Sequence, residues 1–315
     1  MNSAVIIGLD LGGTSVKGIA LTPEGFEVGR DHQAFDLSRP MEFAAAVKQC
    51  LERLEALGSF RAEAIGLSAP GLAAADGRSI SFMPGRFPGL EGLDWANFLG
   101  RPEVPVLNDA RAALLGEVWQ GAARGSTNVV LLTLGTGVGG AAMVDGRLLS
   151  GHIGKAGHLG HLSLNPDGAQ GITGTPGSLE DAIGNHNIAA RSEGRFQSTH
   201  ELLAAYNRGD RLAGEVWLRS VKALAAAITS LSNILDPEVV IIGGGIAAAG
   251  DALFRPLQGW VDRFEWKIQG QRMRIVPARV GDLAGAYGAA HAALARSIGH
   301  ATFALEGTPG AAPKP

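Results

Sequence analysis

The chain has 315 residues, 46% of them hydrophobic, with 27 Lys and Arg against 30 Asp and Glu for a formal net charge of -3. That length exceeds one typical core, so two domains are expected, with apolar content ample for both. The near-neutral balance provides no electrostatic footprint for nucleic acid or an anionic membrane, and leaves a small molecule as the expected partner.

The first element is the run Ile6-Ile7-Gly8-Leu9-Asp10-Leu11-Gly12-Gly13-Thr14-Ser15-Val16-Lys17-Gly18-Ile19-Ala20-Leu21, two apolar strands about a Gly-Gly-Thr turn. Gly12 and Gly13 lack the Cβ atoms that would keep a phosphate from the backbone N–H groups, Thr14 adds a hydroxyl and Lys17 a counter-charge. Asp10 could then orient hydrated Mg2+. Taken alone, the motif reads equally as an ordinary glycine hairpin. No basic region precedes an apolar core here, and Asp10 interrupts where a signal peptide would need apolar residues, so a cytoplasmic location is expected.

A helix over 40–57 follows from Phe43, Val47, Leu51 and Leu54, stopped by Gly58. The single cysteine, Cys50, lies in that pattern, excludes an intramolecular disulfide framework and fits a reducing compartment. A strand over 64–68 runs into Ala69-Pro70-Gly71, and the Gly- and Pro-rich stretch 76–92 reads as a long connecting loop. The strand Val104-Pro105-Val106-Leu107 leads to Asn108-Asp109 and a helix from Ala110. On position alone Asn108-Asp109 is a helix N-cap.

The stretch Val129 to Leu134, Gly135-Thr136-Gly137-Val138-Gly139-Gly140 and Ala141 to Val144 repeats the plan of the opening hairpin, an internal duplication that would set two phosphate-contacting hairpins, one per domain, across a cleft. Its glycines break an uncharged run that would otherwise invite a membrane span. An amphipathic helix over 212–235 is stopped by Asp236-Pro237. The strand Val239 to Ile242 then meets Gly243-Gly244-Gly245, a turn suited to a nucleotide or simply to packing. A last Ala-rich helix spans about 281–297. The expected domains are 1–117, completed by the C-terminal helix at about 283–300, and 118–282, with a disordered tail over 304–315.

In this order the chain resembles the ROK family, sugar kinases and sugar-responsive repressors on the two-domain, α/β actin-like ATPase (ribonuclease H-like) fold with an interdomain cleft. The resemblance rests on Asp10 to Thr14, Asn108-Asp109, Leu134 to Gly140, Ala156-Gly157-x-x-Gly160-His161, Gly177-Ser178-Leu179-Glu180, and Asp236-Pro237 leading to Gly243-Gly244-Gly245. It implies that the two hairpins, through Gly12, Gly13, Thr14, Lys17, Gly135, Thr136 and Gly137, hold the phosphates of ATP with Mg2+ at Asp10. Gly243, Gly244 and Gly245 would line the adenosine site. Asp109 would be the general base for a sugar hydroxyl, with Gly71, Arg86, Asn108, His158, His161 and Glu180 around the sugar. A carboxylate within hydrogen-bond reach of the attacking hydroxyl is what phosphoryl transfer asks of the protein, beyond positioning and charge neutralisation. A homodimer is the family's common state.

Two departures bear on the site. Most of the family join the histidine matched by His161 to three cysteines in a zinc site; here the segment reads Gly171-Ile172-Thr173-Gly174-Thr175-Pro176-Gly177-Ser178-Leu179-Glu180. One histidine makes no four-coordinate site, so no structural zinc is expected, with Thr173, Ser178 and packing in its place. Kinases of the family usually carry Ala-Gly-Glu where this chain has Ala156-Gly157-His158, so a group that only accepts becomes one that also donates. They often place a sugar-binding asparagine at Arg86, which here is either exposed or admits an acidic or extra polar substituent. The expected function is ATP-dependent phosphorylation of a hexose or hexose derivative; an N-acyl hexosamine or fructose kinase, or a non-catalytic sugar binder, are the alternatives. Family repressors carry a DNA-binding domain ahead of the first hairpin, where this chain has nine residues before Asp10, so a repressor is not expected.

Overall fold

A computed structural model describes residues 4–58 and 60–299; the tail expected to be disordered over 304–315 lies outside the described residues. β1 (Ile6–Leu11) and β2 (Ser15–Leu21) form the opening hairpin, and β3 (Glu27–Ala34) pairs with β2. The sequence did not announce β3: it is a polar edge strand whose only buried residue is Gln33. α1 (Glu42–Gly58) buries Phe43, Val47, Cys50, Leu51 and Leu54, the stripe its spacing requires. β4 (Ala64–Ala69) follows. Within the stretch expected to be all loop, β6 (Ile80–Phe82) pairs with β5 (Leu72–Ala73), strands too short to show a period. α2 (Trp95–Leu99), β7 (Val106–Asn108) and α3 (Asp109–Gln120) come next.

The rest of the chain forms β8 (Val129–Leu134), β9 (Val138–Val144), β10 (Arg147–Leu148), α4 (Leu179–Ile183), α5 (Ile188–Arg191), α6 (Thr199–Asn207), α7 (Arg211–Leu235), β11 (Val239–Gly243), α8 (Asp251–Phe264), β12 (Arg274–Pro277) and α9 (Ala284–Ser297). Among the described residues no helix is long and apolar enough to cross a membrane.

The chain divides into two compact units. One holds the described residues up to Gly125, Asp145–Gly157 and those from Arg279 onward; the other holds Ser126–Val144 and His158–Ala278. The boundary expected at 117/118 falls inside α3, a continuous hydrogen-bonded rod that belongs to one body, and residues 145–157 go with the first unit.

The first unit is built on a sheet in the order β3-β2-β1-β4-β7, with β1 antiparallel to β2 and parallel to β4. Ile7, Leu9 and Leu11 belong to a core with Phe43, Val47 and Leu51 of α1, while Ile6 joins Ala286 and Ala290 of α9 on the opposite face. The period of two therefore turns Gly8 and Asp10 toward α9 as well. The helix comes so close that a Cβ on Gly8 would sit 1.8 Å from the Ala286 carbonyl oxygen, and one on Gly66 1.9 Å from that of Ala289.

In the second unit β9, β8, β11 and β12 lie side by side, β8 antiparallel to β9 and parallel to β11. A hairpin continued by two parallel strands is also the plan of β2-β1-β4-β7, so the duplication read from glycine turns extends to whole sheets. α7 starts on an Asp210 cap, buries Val216, Trp217, Val221, Leu224 and Ile228, and ends where Asp236 turns left-handed (φ 45°) ahead of Pro237.

Candidate active site

In the first unit, Asp10 lies near the end of β1, in register with Ser68 on β4, whose hydroxyl donates to Asp10 Oδ1 at 2.6 Å. Burial pushes the Asp10 carboxyl up to about 6; the Ser68 bond opposes the shift and the Asp109 charge adds to it. Room for this carboxyl exists because α9 presents Gly285, where a Cβ would stand 2.6 Å from it. Gly12 N donates to Ser15 O at 2.9 Å to close the turn, and Thr14 is exposed. Lys17, directly across from Asp10, is engaged elsewhere: its Nζ binds the Asp282 carboxylate at 2.9 Å and the Asp282 carbonyl at 3.3 Å. The counter-charge expected from Lys17 is thus matched within the protein.

Asn108 is the N-cap of α3, its Oδ1 accepting from Ala110 N at 3.1 Å and Arg111 N at 3.4 Å. Its Nδ2 donates to Gly71 O at 2.9 Å and to Asp109 Oδ1 at 2.8 Å. The amide hydrogens expected to meet sugar hydroxyls are therefore used inside the unit, and Gly71 contributes a carbonyl that orients Asn108. Asp109 Oδ1 also accepts from Ala110 N at 2.8 Å. With both bonds on Oδ1, Oδ2 is the oxygen left to take a proton. Asp109 is open to solvent, yet desolvation by surrounding protein raises its pKa against the bonds from Ala110 and Asn108. The cap falls on Asn108, so the N-cap reading of the pair does not take up the Asp109 Oδ2. Arg86 is exposed and lays its guanidinium against Gly13, with Nη2 2.4 Å from where a Cβ there would be.

Two charged residues of α3 escaped the sequence reading. The buried Arg111 guanidinium donates to the carbonyls of Ser150 (3.3 Å), Gly154 (2.7 Å) and Ala156 (2.9 Å), fixing the segment that runs into His158. Glu117, 0% exposed, accepts from Arg279 N at 2.9 Å and Val280 N at 2.8 Å on Oε1 and from Ala122 N at 2.7 Å on Oε2. Their signal was charge on an otherwise apolar helix.

In the second unit the 135–137 turn is clamped from α4 and the residues after it. Val138 N donates to Glu180 Oε2 at 2.8 Å, and the same oxygen lies 2.1 Å from a Cβ position on Gly137. Asn185 N donates to Gly135 O, and His186 N to Thr136 O, each at 2.9 Å. The His186 ring spans Thr136 O (Nδ1, 2.9 Å) and Asp181 Oδ1 (Nε2, 3.1 Å). Glu180, expected at the sugar, thus holds the second glycine turn, and Asn185-His186 do so with no motif to betray them.

Gly244, at φ 82°, rests on the backbone of Leu134, and Gly245 opens a 3-10 turn ahead of α8. A cavity of about 600 Å3 is lined by Gly135, Thr136, Asn185, His200, Gly245 and Ile246, which brings the second hairpin turn and the third glycine run to one pocket. His158, half-buried, precedes a 3-10 turn over Leu159–His161, and His161 N donates to His158 O at 3.3 Å.

The zinc loop offers hydroxyls: Thr173 and Thr175 pair at 3.1 Å, and Ser178 donates to Asp181 Oδ2 at 2.8 Å. Among the described residues no three or more His, Cys, Asp or Glu side chains group as metal ligands, so these residues do not fit a four-coordinate zinc. Asp10 suits Mg2+: a half-buried carboxylate, raised by desolvation and the Asp109 charge, is relieved by a cation that needs only one or two carboxylates and keeps its waters.

Comparison with known proteins agrees in family and fold. The model of the ROK family matches residues 6–296. The glucokinase of Thermotoga maritima is 32% identical over 273 residues, 80% of this chain and 86% of that protein. The crystal structure of the ROK hexokinase from Thermus thermophilus superposes with a TM-score of 0.84 at 31% identity, covering 94% of this chain and 99% of that one. A ROK family glucokinase from Streptomyces griseus, solved with glucose and AMPPNP, gives 0.74 at 25% identity, covering 92% and 99%.

Proposed function

The chain belongs to the ROK family and is an ATP-dependent sugar kinase; from that premise we propose that it phosphorylates a hydroxyl of a hexose or hexose derivative with Asp109 as general base. The observation that carries the mechanism is the Asp109 carboxyl, with Oδ1 held by Asn108 Nδ2 at 2.8 Å and Ala110 N at 2.8 Å and its pKa raised by desolvation. A carboxylate fixed on one oxygen and raised in basicity suits proton acceptance from an alcohol.

In this reading Asp10 holds Mg2+ through water, and the ion neutralises phosphate charge when bound. The Gly13 amide and the Thr14 hydroxyl meet phosphate in the first unit, on a turn that Gly12 N closes onto Ser15 O. Gly135 to Gly137, braced by Glu180 and His186, do so in the second, with the nucleoside in the cavity beside Gly245. The 171–180 loop works without zinc. The exposed Trp266 and Ile268, close in sequence to Phe264, offer apolar surface that a second copy would cover in a cytoplasmic homodimer. Incubation with ATP, Mg2+ and a panel of hexoses, hexosamines and N-acyl hexosamines tests the reading: ADP release that depends on one of these sugars supports it, and release with none refutes it.

A further inference from the structure

We propose that Arg86 is a ligand of the terminal, transferring phosphoryl group of the nucleotide rather than a reader of the sugar. The inference rests on the kinase reading and refines its phosphate site. Three observations converge. The Arg86 guanidinium lies on the first glycine turn, with Nη2 2.4 Å and Cζ 3.3 Å from the Cβ position of Gly13. Among the described residues, no carboxylate or carbonyl lies within ion-pair or hydrogen-bond distance of Arg86, whose guanidinium also stands 5.8 Å from the centroid of the Phe87 ring. The hairpin's own cation, Lys17, is meanwhile committed to Asp282 at 2.9 Å. The cation left to answer an anion at this turn is Arg86.

The loop is built to hold it there. Phe87 is 2% exposed and packs edge-on to Phe43 with ring centroids 5.5 Å apart, so the residue next to Arg86 is anchored in the core. The turn leaves the end of β1 that carries Asp10, and the pairing of Asp10 with Ser68 and of Ala69 with Asn108 puts Asp109 at the same end of the sheet, so the phosphoryl group at Gly13 is the one that meets the base. A planar guanidinium there offers paired donors to two phosphoryl oxygens, a role an ammonium fills only as a point charge. In the transfer the acceptor hydroxyl oxygen bonds to the γ-phosphorus and its proton passes to Asp109. The bond from the γ-phosphorus to the β–γ bridging oxygen breaks, its electron pair leaving on ADP, while Arg86 spans the charge on the non-bridging oxygens.

The test compares wild type, Arg86→Ala and Arg86→Lys by calorimetric binding of Mg·AMPPNP, Mg·ADP and the sugar selected by the panel or, if none is selected, glucose. Expected is a loss of about 10- to 100-fold in AMPPNP affinity for Arg86→Ala, with partial recovery for Arg86→Lys and ADP and sugar affinities within about threefold of wild type. Loss confined to the sugar, an equal loss for all ligands, or no loss at all would each overturn the assignment. Because the readout is binding, a wild-type protein that turns over no sugar but shows the selective AMPPNP loss would sink the kinase reading while leaving Arg86 as a phosphate ligand.

Discussion

Replacing Asp10 by Asn should make the ligand-free protein more stable and the enzyme inactive. The carboxyl is raised from 3.8 to about 6, chiefly by burial. At ~1.36 kcal/mol per unit, a shift of roughly two units means that ionised Asp10 costs the folded state about 3 kcal/mol. The folded pKa lies above the unfolded one, so the favourable contribution is complete below 3.8 and is lost as pH rises through about 6. The Asn side chain keeps an oxygen for the Ser68 hydroxyl and carries no charge to desolvate. Urea unfolding at pH 4 and pH 7.5, without nucleotide or Mg2+, should show the two proteins nearly equal in acid and the variant ahead by up to about 3 kcal/mol at the higher pH. A variant less stable than wild type at pH 7.5, or an advantage independent of pH, would refute the reasoning. Such a cost fits a site residue kept for its ligand rather than for the fold.

Two further substitutions probe the frame around the site. Glu180→Gln weakens the acceptor for Val138 N, and should lower Mg·AMPPNP affinity about five- to tenfold in calorimetry while sugar affinity stays put. Glu117→Ala leaves the N–H groups of Ala122, Arg279 and Val280 without their acceptor, and should cost at least about 3 kcal/mol in urea unfolding.

How much of this was legible in the sequence depended on how local each signal was. The two hairpins announced themselves because two apolar runs flank a glycine- and threonine-bearing turn within one short stretch, 6–21 and again 129–144, and Asn108-Asp109 because a strand ends there. β3 did not, since a polar edge strand is specified by its partner β2 rather than by its own pattern. α4, α5 and α6, at five, four and nine residues, are too short for a helical period to stand out. Three of the expected site residues have neighbours that the sequence did not show: Lys17 is matched by Asp282, Glu180 braces the Gly137 turn, and Arg86 lies on Gly13. Each of these depends on where the tertiary fold carries a long side chain. Asn185 and His186 act on the turn at Gly135 and Thr136 from about fifty positions away, largely through backbone groups that carry no sequence signature.

The central claim is that the Asp109 carboxylate takes the proton from the sugar hydroxyl, and Asp109→Asn tests it most directly. An amide keeps the size of the side chain and its place at the start of α3, but cannot accept that proton. With the sugar that wild type prefers, sugar-dependent ADP release should fall by about 10²- to 10⁴-fold, while calorimetric affinities for sugar and Mg·AMPPNP stay within about threefold. A variant that retained most of the wild-type rate would contradict the account.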